Sequence, residues 1–299
     1  MNKLISVVIV TYNSENHIYD CLDTLYKYND IGDALEVLIV DNCSKEFEKM
    51  QTQIQQKYGE KVIIIKNTRN GGYGQGNNIG IKQSTAPYIM IMNPDVRICK
   101  PVFKSVYDIF SSAQNIVQVG LKQLIPGCRK GYSFSWKSTI LPYISLPLIS
   151  VTKCLDLYFP KYMYFAGSCF FLRKSSFEQA GMFDENIFLY HEEEDVHLRL
   201  SRLPKAKFVY WNQGLYEHLH LPSKDISGND LVVKKRSFNS LKYLYVREGY
   251  GEELAYKREI QKCKFMLWRE KLLCLIGKGN HKYCDYLHNW NELLIKKSV

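Results

Sequence analysis

The chain has 299 residues, 46% of them hydrophobic and 23% charged, which excludes a disordered or fibrous protein and suits one large α/β domain with appendages or two small domains. Its formal net charge is +10, and ten basic against four acidic residues between Lys257 and Val299 place +6 of that in the C-terminal stretch. Such an excess fits phosphorylated substrates or an anionic membrane surface; nucleic acid is set aside because no nucleic-acid-binding module is recognisable.

Over the first 120 or so residues, strand-like runs alternate with helical ones: strand 5–11, helix 15–28, strand 36–41, helix 46–58, strand 62–66, helix 76–84, strand 88–92, helix 101–112, strand 117–121. The alternation predicts βαβ units and a mostly parallel, Rossmann-like sheet with helices on both faces. From 122 to 165 the pattern gives way to Pro, Gly and aromatic residues, expected to form a long irregular segment. Within it the apolar run Thr139 to Val151 carries two prolines, and reads either as a shallow membrane-touching loop or as a connection buried on the sheet. A strand is expected from Gly167 to Leu172, a helix from His191 to Arg202 and a short strand from Lys207 to Trp211. Beyond residue 229, Leu231, Lys235, Phe238, Leu241 and Tyr245 recur at helical spacing. A further basic helix over about 252–276, with Tyr256, Ile260, Cys263 and Leu267 on one stripe, reads equally as membrane-lying or as packed on the domain. The division expected is a catalytic domain over 1–225, split into halves 1–121 and 122–225, and a basic helical extension over 226–299.

Nine cysteines without a CxxC pair argue against a zinc module or a disulfide framework and for a reducing compartment. The first residues lack the form of a signal peptide, and no run reaches eighteen uninterrupted apolar residues. The expectation is a cytoplasmic protein, with peripheral contact at the inner face of a membrane left open.

Three apolar runs end in polar groups: Ser6 to Val10 leads into Thr11-Tyr12-Asn13-Ser14, Glu36 to Val40 into Asp41-Asn42-Cys43-Ser44, and Tyr88 to Met92 into Asn93-Pro94-Asp95-Val96. Open α/β sheets bind ligands outside the C-terminal ends of their strands. Asp41 could accept bonds from a base or ribose there, and Asp95 could hold a metal ion; taken singly, Asp41 reads as a helix cap and Asp95 as a turn residue. Between Asn67 and Asn78 lie Gly71, Gly72, Gly74 and Gly76, glycines that allow backbone N–H groups to approach a phosphate or sugar. Neither GxGxxG nor GxxxxGK[ST] is present.

Six acids crowd the run Asp184 to Asp195, at what reads as a helix start, where the helix dipole favours carboxylates. Asp195 and Arg199 are spaced to pair, while Glu192 and Glu193 point about 100° apart, so that one can serve the scaffold and the other face a cleft. His218 and His220, in Glu217-His218-Leu219-His220, could complete a metal site begun by Asp95. A solvated acidic helix start and an ordinary surface histidine are the plainer readings of each taken alone.

As a set and in this order, these pieces resemble the inverting glycosyltransferases of family 2, with the nucleotide-diphospho-sugar transferase (GT-A) fold; the match covers roughly residues 4 to 220. The Asn70-to-Asn78 loop and the Asn93-Pro94-Asp95 form look most like the rhamnosyltransferase-like branch. The resemblance implies that Thr11, Tyr12, Asn13 and Asp41 surround the nucleotide, and that Asn70, Gly72, Gly74 and Asn77 line the donor. It implies that Asn93 and Asp95 occupy the DxD-type element binding Mg²⁺ or Mn²⁺ at the diphosphate, with Asn93 replacing the first acid. It makes Glu193 the catalytic base in place of the usual Asp, with Glu192 as the alternative. The implied donor is a dTDP- or UDP-sugar, rhamnose-like or hexose, and the implied acceptor a glycan or polyprenyl-diphosphate-linked glycan. A nucleotidyltransferase would want a basic loop early in the chain, and Thr11 to Asn16 has no Lys or Arg. A non-catalytic nucleotide- or glycan-binding protein of the same fold is the remaining alternative.

Overall fold

The computed structural model describes residues 2–127, 129–219 and 230–298; Cys128 and His220 lie outside the described residues. In chain order the main elements are β1 (Ile5–Thr11), α1 (Glu15–Lys27), β2 (Leu35–Asp41), α2 (Phe47–Tyr58), β3 (Val62–Lys66), α3 (Gly72–Gln83), β4 (Tyr88–Met92), β5 (Val96–Ile98), α4 (Phe103–Ser112) and β6 (Ile116–Ile125). There follow β7 (Arg129–Lys130), β8 (Phe134–Trp136), α5 (Pro142–Leu155), β9 (Met163–Phe165), β10 (Cys169–Arg173), α6 (Lys174–Gln179), α7 (Glu192–Leu200) and β11 (Lys207–His218). Three helices close the chain: α8 (Asp230–Arg247), α9 (Glu252–Leu275) and α10 (His281–Ser298).

The main sheet runs β3-β2-β1-β4-β10-β6-β11-β5. β3, β2, β1 and β4 are parallel, as are β6 and β11, while β10 is antiparallel to both its neighbours and β5 is antiparallel to β11. The expected mostly parallel sheet with helices on both faces is therefore present. Residues along a strand alternate between its two faces. Ile5, Val7, Ile9, Val37, Ile39, Met90 and Met92 accordingly join one core with α1, α2 and α4, while Val8, Leu38, Ile89 and Ile91 join a second with α3, α6 and α7. Both faces are covered, which is why these strands read as continuous apolar runs rather than alternating ones. α1 buries Ile18, Cys21, Leu22 and Leu25, a stripe at helical spacing.

Two sequence expectations are corrected. The helix expected at 76–84 begins at Gly72, so most of the glycine-rich segment is its first turns. Glycine is a poor helix former, but here it is needed: a Cβ at Gly80 would stand 2.5 Å from a Val8 methyl, and one at Gly76 2.8 Å from Val10. The glycines let α3 lie directly on β1 and β2. The second correction concerns the apolar run 139–151, which is neither loop nor buried connection: α5 starts on Pro142 at its first turn, contains Pro147, and exposes one face. Proline is tolerated in the first turn and costs an interior hydrogen bond at 147. Smaller differences are β11, which continues from Trp211 to His218 across a register shift, and the added β7, β8 and β9 pieces within 122–165.

The C-terminal helices share a core of their own, with Phe238, Leu241, Tyr245, Ala255, Cys263, Leu287, Trp290 and Leu294 buried and Tyr256, Ile260 and Leu267 packed on it. The Tyr256–Leu267 stripe is thus covered by protein. α8 is fastened to the sheet domain by Arg247, which pairs with Asp184 at 2.8 Å and also with Asp195.

Candidate active site

The C-terminal ends of β1, β2, β4 and β11 share one sheet edge, and the antiparallel β10 begins there. After β4 the chain turns through Asn93-Pro94-Asp95 and crosses this edge to pair β5 with β11, His218 standing opposite Val96. Asp95 Oδ2 lies 3.2 Å from His218 Nε2, both side chains less than one-fifth exposed. The sequence had proposed these two residues as partners, and the β5–β11 pairing brings them together.

Ser168, immediately before β10, accepts a hydrogen bond from the Asn93 N–H at 2.9 Å. Beside it, Gly167 lies under the Glu193 carboxylate: a Cβ there would meet Glu193 Oε1 at 1.7 Å. The Tyr73 hydroxyl, from the first turn of α3, donates to the Gly167 carbonyl at 2.7 Å. Gly167–Ser168 therefore joins the Asp95 turn, the glycine-rich helix start and the acidic helix α7. The sequence showed this dipeptide only as the beginning of a strand, because the need for a side-chain-free residue at 167 comes from a carboxylate distant in the chain.

The four acids that open α7 divide their work. Glu194 is buried, accepts from the Ser138 N–H and Oγ at 2.7 and 2.8 Å, and faces His191 Nδ1 at 3.3 Å. Asp195 is buried between Arg199 and Arg247. Glu192 is 2% exposed with Oε1 lacking a hydrogen-bond partner among the described residues. Glu193 is the half-buried one, over Gly167. Burial pushes the Glu192 carboxyl well above its ordinary value, helped by the neighbouring Glu193 charge, and burial also raises Glu193. Tyr190 and His191, just before the helix, have φ of +68° and +73°. Consecutive non-glycine residues in the left-handed region store strain, a feature that clusters at functional sites.

At the ends of β1 and β2, Thr11 Oγ1 donates to Asp41 Oδ2 at 2.9 Å, and Ser44 donates to the same carboxylate from both N–H and Oγ, at 2.8 and 2.5 Å. Asp41 is fully buried and its oxygens hold the turn after β2. Tyr12 is 50% exposed, and Asn13, at φ +50°, is tied to Ser44 and Lys45. Asn70 Oδ1 accepts from the Gly72 N–H at 3.0 Å. Gly72 (φ +89°) and Gly74 face the backbone of Phe188 and the Cβ of Phe183. Asn77 is buried, donates to the Tyr73 carbonyl at 3.0 Å and leaves Oδ1 without a partner among the described residues.

Sequence reasoning missed Asn42 and Asn78. Asn42 donates to the Gly72 carbonyl at 2.9 Å and accepts from Asn67, locking the helix start to β2. Asn78 bonds both the N–H and the carbonyl of Phe183, hanging the 183–188 segment on α3. The buried Asn42 amide bonds one backbone carbonyl and one side chain and that of Asn78 two backbone groups, which the bare dipeptides Asp41-Asn42 and Asn77-Asn78 could not reveal.

Between α5 and α9 opens a cavity of about 140 Å³, whose walls include Lys137, Ser138, Tyr164, His191, Arg258 and Lys262. It adjoins α7 through His191 and Ser138, and its wall sets the three cations Lys137, Arg258 and Lys262 against one acid, Glu259.

A carboxylate and an imidazole fit a divalent cation, and Mg²⁺- or Mn²⁺-type sites commonly take few protein ligands and complete the shell with substrate phosphates and water. Among the described residues no group of three or more His, Cys, Asp or Glu could hold a metal; Asp95 and His218 together offer two donors.

A parallel half joined to an acid-bearing half across a mixed sheet is a GT-A-like architecture. The chain belongs to glycosyl transferase family 2, whose family model matches residues 6–181. Among its relatives, the low-salt glycan biosynthesis hexosyltransferase Agl10 of Haloferax volcanii is 26% identical over 203 residues, covering 66% of this chain and 62% of Agl10. The poly(ribitol-phosphate) β-N-acetylglucosaminyltransferase TarS of Staphylococcus aureus is 32% identical over 102 residues, 33% of this chain and 17% of TarS. The match thus spans less than two-thirds of either relative. In structure, TarS residues 1–349 in complex with UDP-GlcNAc superpose with a TM-score of 0.55 at 15% identity, covering 88% of this chain and 71% of that one. The mannosyltransferase PcManGT of Pyrobaculum calidifontis, in complex with GDP-Man and Mn²⁺, gives 0.56 at 12% identity, covering 98% and 70%. These likenesses show the fold.

Proposed function

We propose that the protein is an inverting glycosyltransferase that moves a sugar, rhamnose-like or another hexose, from a dTDP- or UDP-activated donor to a glycan or lipid-linked acceptor in surface polysaccharide synthesis. The observation that carries this reading is the convergence at Gly167–Ser168: one dipeptide touches the turn bearing Asp95 and the carboxylate of Glu193. In this reading Asp95 would anchor the diphosphate and Glu193 would act as the base at the same sheet edge.

In this reading Thr11, Tyr12 and Asn13 form the lip over the nucleotide, and Asp41, held by Thr11 and Ser44, fixes the turn that carries it. Asp95 and His218 would hold Mg²⁺ or Mn²⁺, which when bound supplies Lewis-acid stabilisation of charge on the departing nucleoside diphosphate. Glu193 takes the proton of the acceptor hydroxyl as that oxygen attacks the anomeric carbon from the face opposite the leaving group, so the centre inverts. Burial raises its basicity for that step. Glu192, more deeply buried and without a partner at Oε1 among the described residues, is the alternative base. The cationic cavity behind α5 suits the phosphates of a polyprenyl-diphosphate acceptor, presented at the cytoplasmic face of a membrane.

The deciding experiment is a donor screen that measures nucleoside diphosphate release with and without Mn²⁺, with and without acceptor. Tight UDP or dTDP binding with no release from any donor would instead identify a non-catalytic binding protein.

A further inference from the structure

The outward face of α5 is apolar apart from Ser150. Tyr143, Ile144, Leu148, Val151 and Leu155 are 39–60% exposed, and Pro147 and Cys154 between them are exposed as well. A helix on a protein surface ordinarily turns such a stripe inward; here the inward face instead carries Ser145, Leu146 and Ile149 against the cationic cavity. The C-terminal half of α9 shows a second stripe, with Trp268 at 58%, Leu272 at 44% and Leu275 at 83% exposed, continued by Ile276 at 65%. The two are one surface, because Phe265 meets Tyr143 edge-on at 6.0 Å and Trp268 at 5.7 Å between ring centres.

The exposed charges on the C-terminal half of α9 have one sign. Lys264, Arg269, Lys271 and Lys278 are exposed beside the α9 stripe, whereas the acids of the same stretch, Glu259 and Glu270, are buried. An apolar face with aromatic side chains and a basic rim is the composition of helices that lie in the plane of an anionic bilayer. A second copy of the chain would bring like-charged rims together.

We infer that α5 and the C-terminal half of α9 form a docking surface for an anionic lipid bilayer, Tyr143, Phe265 and Trp268 sitting at headgroup depth. The stripe involved is distinct from the Tyr256–Leu267 stripe, which the C-terminal helices cover. The inference deepens the lipid-linked-acceptor reading and rests on it for its purpose: the helices that touch lipid also wall the cationic cavity beside His191. Docking is read without donor or acceptor, so the two can fail separately.

The test is sedimentation of the full chain with phosphatidylcholine vesicles, with and without phosphatidylglycerol, at low and high salt. The intact protein is expected to bind the phosphatidylglycerol vesicles and to be released by salt, which screens rim charges. Trp268→Ser with Leu275→Ser should weaken binding on the order of tenfold or more, since each removes interfacial apolar area. Lys264→Glu with Lys271→Glu should abolish the preference for phosphatidylglycerol. Unchanged circular dichroism spectra would show that the variants, all at exposed positions, remain folded. No binding by the intact protein, binding indifferent to both double variants, or a dimer in solution that Trp268→Ser dissolves would overturn the proposal.

Discussion

Asp95 Oδ2 and His218 Nε2 stand 3.2 Å apart because β5 folds back from the Asn93-Pro94-Asp95 turn onto the end of β11. In the proposed reading Asn93 stands where the family has an acid, which leaves cation binding at this edge to these two side chains. Asp95→Ala is expected to lower kcat/KM for donor turnover by about 100-fold or more, the size of losing roughly 3 kcal/mol of charge stabilisation. His218→Gln should act differently, raising the Mn²⁺ concentration for half-activation while leaving the rate at saturating metal closer to that of the parent. Metal titrations of nucleoside diphosphate release check both; variants that keep the parent's rate and metal response would remove the pair from the site.

Glu193 should show its role in a pH profile. Its carboxyl is raised by burial, and a general base works only when ionised, so activity is expected to climb with pH along a limb displaced above the ordinary value of 4.5. Glu193→Gln should lower kcat by about 10²- to 10⁴-fold with little change in donor KM, and should abolish that limb. Glu192→Gln serves as the control. If it alone shows the large loss, the base is Glu192.

Much of this architecture was legible in the sequence, for physical reasons that also mark where reading stopped. Strand ends such as Thr11, Asp41 and Asp95 stood out because strands covered on both faces are apolar throughout, so the first polar residue marks the edge. The start of α3 was hidden because glycine argues locally against a helix, while its value here lies in contacts with Val8, Val10 and Phe188. α5 was hidden by Pro147. Asp41 looked like a ligand-facing acid, yet its oxygens go to Thr11 and Ser44, a matter of turn geometry that no spacing rule contains. The pairing of Glu193 with Gly167 depends on where an antiparallel strand begins, which is a property of the whole sheet.

Gly80 and Gly72 separate packing from positioning. Gly80→Ala is expected to destabilise the protein by about 1–3 kcal/mol through overpacking on Val8 and Val40, with donor KM little affected. Gly72→Ala combines a φ of +89° with a Cβ placed 2.3 Å from the Phe188 carbonyl, so the 183–188 segment must move as well. Thermal melts together with donor KM values distinguish the two. A Gly72→Ala protein with parental KM would mean that the Phe188 segment does not shape the donor site.

Glu259 gives the C-terminal helices their own acid sensitivity. It is 5% exposed, accepts from Lys234 at 2.6 Å and from the Trp290 indole at 3.2 Å, and the nearby Lys234 and Lys262 charges outweigh burial to hold its carboxyl at about 2. The folded value lies below the ordinary 4.5, so the stabilisation is fully present above 4.5 and is lost as pH falls toward 2. Glu259→Gln should flatten that part of the stability–pH curve and cost about 1–3 kcal/mol near neutrality, since the partly buried Lys234 loses its counter-charge. Replacing both partners, Lys234→Met with Glu259→Leu, should recover most of the loss. Urea midpoints measured from pH 3 to pH 7 decide the matter: parallel curves for the parent and Glu259→Gln would show that this pair does not set the acid limit.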